Sequence, residues 1–118
     1  MSNRQPLLDQ LLAEDLRGVV FVRDYLQLQF NPNPTLNVYA RCRVAPGGET
    51  ATFGDPAFAN LAVAQIGKDV SAATETGGAV VVEFVDGSRF EIPLDADDLP
   101  GGKACVLFGR EGGVASWP

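Results

Sequence analysis

The sequence contains no histidine and only two cysteines, and no long hydrophobic run is free of charge. The absence of histidine excludes Ser–His and Cys–His nucleophile pairs, histidine metal ligands and the commonest general base near neutral pH. Two cysteines are too few for a disulfide framework or a cysteine zinc site. The apolar strand patterns around Cys42 and Cys105 predict buried free thiols. Asp9, Glu14 and Asp15 interrupt the first leucines, so we expect no secretory signal or membrane span, and a cytoplasmic location.

The charge balance is acidic. Nine basic and fifteen acidic residues give a net charge of −6 over 118 residues. An acidic chain repels phosphate backbones and anionic lipids, so we expect neither nucleic acid nor membrane as a partner. Hydrophobic residues make up 46% and charged residues 20%. This composition predicts a single globular domain, 1–118, with enough apolar material for a core.

No motif with catalytic or metal-binding spacing is present. The segment DADDLPGG looks like a calcium loop, but Leu99, Pro100 and Val106 stand where an EF-hand needs an oxygen ligand, a glycine and a glutamate. Gly67-Lys68 lacks the earlier glycine of a phosphate-binding loop, and no serine has a visible base. We therefore predict no enzymatic activity, no metal and no cofactor.

Two segments have helical spacing of their apolar residues. Leucines recur at helical intervals over 6–16, and a second pattern covers 56–66. Asp55 fits the N-cap of the second helix, and Gly67 fits its end. We predict two short helices at these places.

The first predicted hairpin joins two long alternating segments. Residues 19–30 and 36–44 alternate between apolar and polar side chains, with a proline-rich turn over 31–35. Matching the apolar faces sets Phe30 opposite Leu36. This register puts Leu28 opposite Val38 and Leu26 opposite Ala40, and on the other face it opposes Gln27 to Tyr39, Tyr25 to Arg41 and Arg23 to Arg43.

The same register leaves one acidic side chain on the apolar face. Asp24 would lie opposite Cys42, where a lone carboxylate is costly. Either a buried donor satisfies it, or a bulge near Arg23–Asp24 turns it outward. We favour the bulge.

A second hairpin follows from the pairing of residues 79–85 and 88–93. A three-residue loop sets Val82 against Phe90 and also opposes Glu83 to Arg89, which a two-residue loop would not do. This loop requires Gly87 in a left-handed conformation.

Three further short strands are predicted, at 69–75, 104–109 and 114–118, while 45–54 is predicted as loop. The elements together predict an α+β fold: one antiparallel sheet of five to seven short strands with two short helices.

The outer face of the first hairpin is the candidate binding site. Its predicted members are Arg23, Tyr25, Gln27, Gln29, Asn37, Tyr39, Arg41 and Arg43. Tyrosine and arginine are enriched at binding hot spots. The alternative is a solvated sheet face on which Tyr25 stacks on Arg41. The predicted pairing of Arg23 with Arg43 is unfavourable, because like charges repel, unless an anion, an acidic side chain or a partner compensates the charge.

Three strings resemble a set of small, mostly uncharacterised bacterial domains. They are the strand DYLQLQF at 24–30, IGKDV at 66–70, where a helix ends in IG, and the hairpin EFVDG at 83–87. The resemblance covers 18–94 and implies no established activity or functional residue. A few similar acidic domains look like immunity proteins of bacterial toxin systems, which supplies an analogy only.

Three functions stay open on the sequence. The first is a non-catalytic interaction or regulatory module, expected to form a homodimer or to bind another protein. The second is a small-molecule-binding domain or minor enzyme with a pocket between helix 56–66 and the sheet. The third is an immunity-type inhibitor whose acidic surface covers a basic toxin. The absence of catalytic spacing favours the first over the second.

Overall fold

Most of the described chain is β-structure. The computed structural model describes residues 6–23, 25–30, 34–45, 50–76, 78–94, 104–109 and 113–117. Within these ranges the elements, in chain order, are the 3-10 helix Pro6–Leu11, β1 Leu16–Val22, β2 Tyr25–Phe30, β3 Thr35–Val38, β4 Arg43–Ala45, β5 Ala51–Thr52, α1 Phe58–Val63, β6 Val70–Glu75, β7 Ala79–Phe84, β8 Arg89–Pro93, β9 Cys105–Phe108 and β10 Val114–Trp117. The predicted α+β fold with two helices is therefore wrong.

The described strands form two antiparallel sheets of five strands each, not the single sheet we predict from the sequence. The first sheet has the order β1-β2-β3-β9-β10 and the second β5-β4-β8-β7-β6. Their apolar faces share one core, in which Leu28 and Leu107 of the first sheet join Val82 and Phe90 of the second. A sheet with one apolar face must bury it, and here each sheet buries the other.

Residues 19–30, predicted as one strand, form a hairpin. Val22 lies opposite Tyr25, so the chain reverses within two residues. Arg23 lies in this turn, which takes the place of the predicted bulge. Asp24 lies outside the described residues.

The turn also changes which side chains share a face. Directly opposed residues point to the same side of a sheet. Phe21 opposes Leu26 and faces inward, whereas Val20 opposes Gln27 and faces outward. The single strand predicted over 19–30 would put Val20 and Leu26 on one face, which is wrong, because across a two-residue turn odd-numbered residues pair with even-numbered ones.

The pairing of β2 with β3 is shifted by two residues from the predicted register. Leu28, not Phe30, opposes Leu36. The Phe30 N–H donates to the Pro34 carbonyl at 3.0 Å and closes the connection. A shift by two keeps every side chain on its face, so hydrophobic alternation cannot separate the two registers.

The second predicted strand is divided between the two sheets. β3 ends at Val38 in the first sheet, and β4 begins at Arg43 in the second. Between them the Tyr39 and Ala40 N–H groups both donate to the Ala104 carbonyl, at 2.8 and 3.0 Å. This crossover depends on a residue distant in sequence.

The first predicted helix, 6–16, is reduced to the 3-10 helix Pro6–Leu11. Ala13 has a positive φ of 66°, which no helix accommodates, and Leu16 already belongs to β1. The leucines of this segment are spaced so that several of them reach the core, but they do not belong to one long helix.

The second predicted helix, 56–66, is also shorter, because α1 covers only Phe58–Val63. Asp55 is not its N-cap; the Asp55 carboxylate accepts the Thr52 N–H at 2.9 Å and closes the preceding turn. Gly67 has a φ of 95°, in keeping with its predicted place after the helical segment.

The second hairpin is confirmed. Val82 opposes Phe90 and Glu83 opposes Arg89, as the three-residue loop requires. Gly87 has a φ of 91°, the predicted left-handed conformation. The strands predicted at 69–75, 104–109 and 114–118 are confirmed as β6, β9 and β10, whereas β5 lies in a predicted loop.

Both cysteines are buried free thiols, as predicted. Burial raises the pKa of Cys42 to about 12, with a smaller contribution from the neighbouring Cys105. Burial likewise raises the pKa of Cys105 to about 12. These thiols are part of the core and are protonated at neutral pH.

Candidate functional site

The outward faces of the two sheets differ in charge. On the second sheet Arg43 pairs with Glu91 at 3.1 Å, and Glu91 also pairs with Arg89. Alternating charges of this kind are typical of a solvated surface and contribute little to stability. The second sheet therefore presents an ordinary wet face.

The first sheet presents an ordered polar face without charge. We define the amide face as Tyr25, Gln27, Gln29, Thr35, Asn37 and Tyr39, all half-buried outward residues of β2, β3 and the residue that follows β3. Gln29 donates to Gln27 at 2.7 Å, Gln27 donates to Asn37 at 3.0 Å, and Asn37 donates to the Tyr39 hydroxyl at 3.5 Å. These bonds hold four side chains in place before any partner binds.

Two tyrosines close one end of the amide face. The rings of Tyr25 and Tyr39 lie 5.0 Å apart between centroids with a tilt of 42°. Tyr25 thus contacts Tyr39 in place of the predicted stacking on Arg41. Tyrosines pre-ordered by such contacts lose little side-chain entropy on binding.

Apolar side chains border the amide face on both sides. Val20 of β1 is 38% exposed, Phe108 of β9 43% and Val114 of β10 59%. From Gly18 onward, none of the outward residues described on these five strands carries a charge. In a chain of net charge −6, such a face is unusual and suited to contact with another surface.

The structure brings together only some of the predicted site residues. Tyr25, Gln27 and Tyr39 lie on the amide face, with Gln29 and Asn37 beside them. Arg23 and Arg41 lie beyond its tyrosine end, both exposed, and no carboxylate among the described residues pairs with either.

The predicted opposition of Arg23 and Arg43 is wrong. Arg43 belongs to the second sheet, because the chain crosses over after Tyr39, and its charge is answered by Glu91. Arg43 is therefore removed from the candidate site.

A polar cluster that the sequence analysis missed ties the end of α1 to the β7–β8 turn. Gln65 is fully buried, donates to the Leu61 carbonyl at 2.9 Å and accepts from Lys68 at 2.9 Å and from Ser88 at 2.6 Å. Lys68 pairs with Asp86 at 2.6 Å. Spacing gave no signal for this cluster, because its members come from separate turns.

The cluster includes a serine near a lysine, although the sequence suggested no base for any serine. Lys68 Nζ lies 3.3 Å from Ser88 Oγ. Ser88 is only 3% exposed, and Lys68 Nζ is engaged by the Asp86 carboxylate and by Gln65, so the contacts of the pair link two turns and are not arranged as a nucleophile with its base. The hydrogen bond from Lys68, with those from Ser88, holds the pKa of Asp86 well below its usual range.

An open aromatic pocket of about 220 Å³ lies between β1 and the beginning of α1. Phe21, Phe53 and Phe58 line it, with Gly54, Asp55 and Ala59. Phe58 meets Phe21 edge to face at 6.2 Å and Phe53 at 5.5 Å. It occupies the general place, between the second helix and the sheet, where the small-molecule hypothesis puts a pocket.

The described residues contain no group of three or more side chains placed to hold a metal ion. In the same part of the chain, every helix is too short or too polar to cross a bilayer. Comparison with protein-family models, with curated proteins and with solved structures finds no match to this chain.

Proposed function

We propose that the protein is a non-catalytic interaction module that self-associates through the amide face. The observation that supports this proposal is the contrast between an uncharged, hydrogen-bonded face on the first sheet and a charge-paired face on the second. The partner we propose is a second copy of the chain.

Electrostatics favours this face over the rest of the surface. Two copies of net charge −6 repel each other, and the repulsion is weakest where the approaching surfaces lack carboxylates. The amides and hydroxyls of the face are both donors and acceptors, so the face is complementary to itself. Such a surface suits a two-fold interface, in which the same patch is used twice.

The two ends of the face carry opposite charge. Arg23 and Arg41 lie beyond the tyrosine end. At the other end Asp15 opposes Asp69, and opposed residues share a face. Arg17 forms an ion pair with Asp15 at 3.4 Å, whereas Asp69 has no ion pair among the described residues. A two-fold arrangement with antiparallel faces sets the basic end of one copy over the acidic end of the other.

The size of the face indicates a transient association. Strand spacing and rise give the outward surface of all five strands, with the amide face at its centre, an area of roughly 400 Å². A standard interface buries about 800 Å² per partner. Interfaces below the standard size are typical of transient association, so we expect a reversible dimer with a dissociation constant of about 1–100 μM.

A charge-reversal experiment tests the proposal. Arg41→Glu and Asp69→Arg should each weaken self-association at least tenfold by sedimentation velocity. An equimolar mixture should restore it, because the heterodimer has an opposite pair at both ends. Thr74→Ala, on the outward face of the second sheet, is the control and should associate like the wild type.

Two outcomes overturn the proposal. The first is a wild-type chain that stays monomeric up to about 1 mM, well above the expected range. The second is a mixture of the two reversed variants that associates no better than either alone.

A further inference from the structure

The open edge of the first sheet lies beside the aromatic pocket. β1 is the terminal strand of that sheet, and Phe21 belongs both to this strand and to the pocket lining. A sheet edge offers backbone hydrogen bonds, and a pocket beside it offers selection of a side chain. The two features together can bind the backbone and one side chain of the same peptide.

The backbone direction along β1 follows from the hydrogen bonds of β2. The Phe30 N–H donates to the Pro34 carbonyl, on the side of β2 that faces β3. Backbone N–H and C=O groups of successive residues point to alternate sides of a strand, so every second residue of β2 counted from Phe30 directs its groups to β3. The residues between them, Gln27 included, direct theirs to β1. Gln27 opposes Val20, so Val20 uses its backbone groups within the sheet. Val19 and Phe21 therefore direct their N–H and C=O groups to the open edge.

Only the beginning of this edge is covered in the described chain. The Leu16 N–H donates to the Lys68 carbonyl at 3.0 Å, and its carbonyl accepts from the Gly67 N–H at 2.7 Å. No comparable backbone bond to Val19 or Phe21 occurs among the described residues. Residues 18–22 also lack the lysines and prolines that commonly protect edge strands.

The pocket has the chemistry of a cation site. The partly exposed rings of Phe21 and Phe53 line it together with the buried Phe58, and Asp55 stands beside them. Asp55 accepts the Thr52 N–H, and no described lysine or arginine forms an ion pair with it. Ring faces and a carboxylate both attract a cation, and the net charge of −6 adds to the attraction.

We propose that the Val19–Phe21 edge and the aromatic pocket bind an extended peptide that adds a strand to β1 and places an arginine side chain in the pocket. An added strand sends alternate side chains to the inner side of the sheet, where the pocket opens. A pocket of about 220 Å³ has room for one long side chain but not for a drug-sized ligand. Arginine fits better than lysine, because its planar group stacks on rings and binds carboxylate through two hydrogen bonds.

This site is separate from the amide face and does not depend on self-association. The test uses a fluorescein-labelled peptide, Thr-Val-Arg-Val-Thr, and its Thr-Val-Gln-Val-Thr analogue, measured by fluorescence anisotropy. The arginine peptide should bind at least tenfold more tightly. Asp55→Asn, which keeps an acceptor for the Thr52 N–H, should weaken the arginine peptide at least fivefold and leave the glutamine peptide unchanged.

The strand addition itself has a separate readout. Hydrogen exchange at the Val19 and Phe21 amides should slow when the arginine peptide is bound, and N-methylation of the peptide backbone should abolish binding. Equal binding of the two peptides, or no binding at about 1 mM, overturns the proposal. Protection of these amides that rises with protein concentration without peptide, and that persists in the Arg41→Glu variant, also overturns it, because a second copy then occupies the edge independently of the amide face.

Discussion

Gln27 lies directly opposite Asn37, and its side-chain amide donates to Oδ1 of the Asn37 side chain at 3.0 Å. This bond joins β2 to β3 on the outward side of the first sheet, while Leu28 and Leu36 oppose each other on the inward side. One register therefore serves the core and the candidate interface together.

The amide face should be dispensable for folding and required for association. Substitutions on a sheet surface usually change stability by less than about 0.5 kcal/mol, whereas losing Tyr or Arg from an interface centre costs about 2 kcal/mol or more. Tyr39→Ala with Arg41→Ala should melt like the wild type and dissociate at least tenfold more readily by sedimentation. Unchanged melting with unchanged association would show that the face is only a wet surface.

Gly87→Val should destabilise the protein by about 1–3 kcal/mol. The φ of 91° is strained for a β-branched residue, and no neighbour lies within 4 Å of the added Cβ, so the cost comes from the backbone alone. Chemical denaturation measures it, with Gly87→Asn as the control, since asparagine tolerates positive φ better. A loss below about 0.3 kcal/mol for valine would contradict this reading.

The Asp86–Lys68 pair should make stability depend on acid pH. The pKa of Asp86 is lowered in the folded protein, first by the hydrogen bond from Lys68, so its contribution is present above about pH 4 and declines as pH falls below it. Asp86→Asn should therefore flatten the acid limb of a stability profile below about pH 4, by a modest amount because the pair is partly exposed and screened by solvent.

Lys68→Met offers the matched comparison for this pair, because it removes the cation and keeps the carboxylate. It should flatten the same limb in part, because the hydrogen bonds from Ser88 to Asp86 remain, and the double variant should add little to Asp86→Asn alone. An acid limb that survives Asp86→Asn unchanged would place the responsible carboxylate elsewhere.

The buried thiols should be inert in the native state. With the pKa of Cys42 and Cys105 raised to about 12 and both side chains covered, neither forms much thiolate at pH 8. Reaction with a disulfide reagent should follow the unfolding rate and accelerate with denaturant. Rapid labelling of either thiol at native conditions would show that the core opens locally.

Local patterns predicted the second hairpin well and the first poorly, for a physical reason. The β7–β8 loop contains Gly87, and the pairing of Glu83 with Arg89 selects its length. The turn after Val22 contains neither glycine nor proline, so the alternation over residues 19–30 predicts one continuous strand. Where a turn lacks special backbone demands, sequence gives little sign of it.

The candidate site shows the same division. Tyr25, Gln27 and Tyr39 were predictable, because a register shift of two residues leaves every side chain on the same face of the sheet. Arg43 was not, because the crossover depends on the distant Ala104 carbonyl. The aromatic pocket joins Phe21 to Phe58 across separate segments, and no spacing connects them.

The order of the first sheet has a kinetic consequence. Its centre is the pairing of Val38 with Cys105, and the whole second sheet lies between these residues in sequence. Closing so long a loop is slow, whereas the second sheet can form from nearby segments. Trp117, the only tryptophan, lies on β10 and donates to Glu75 of the second sheet at 2.9 Å. Its fluorescence therefore reports the late joining of the two sheets and not the early formation of either hairpin.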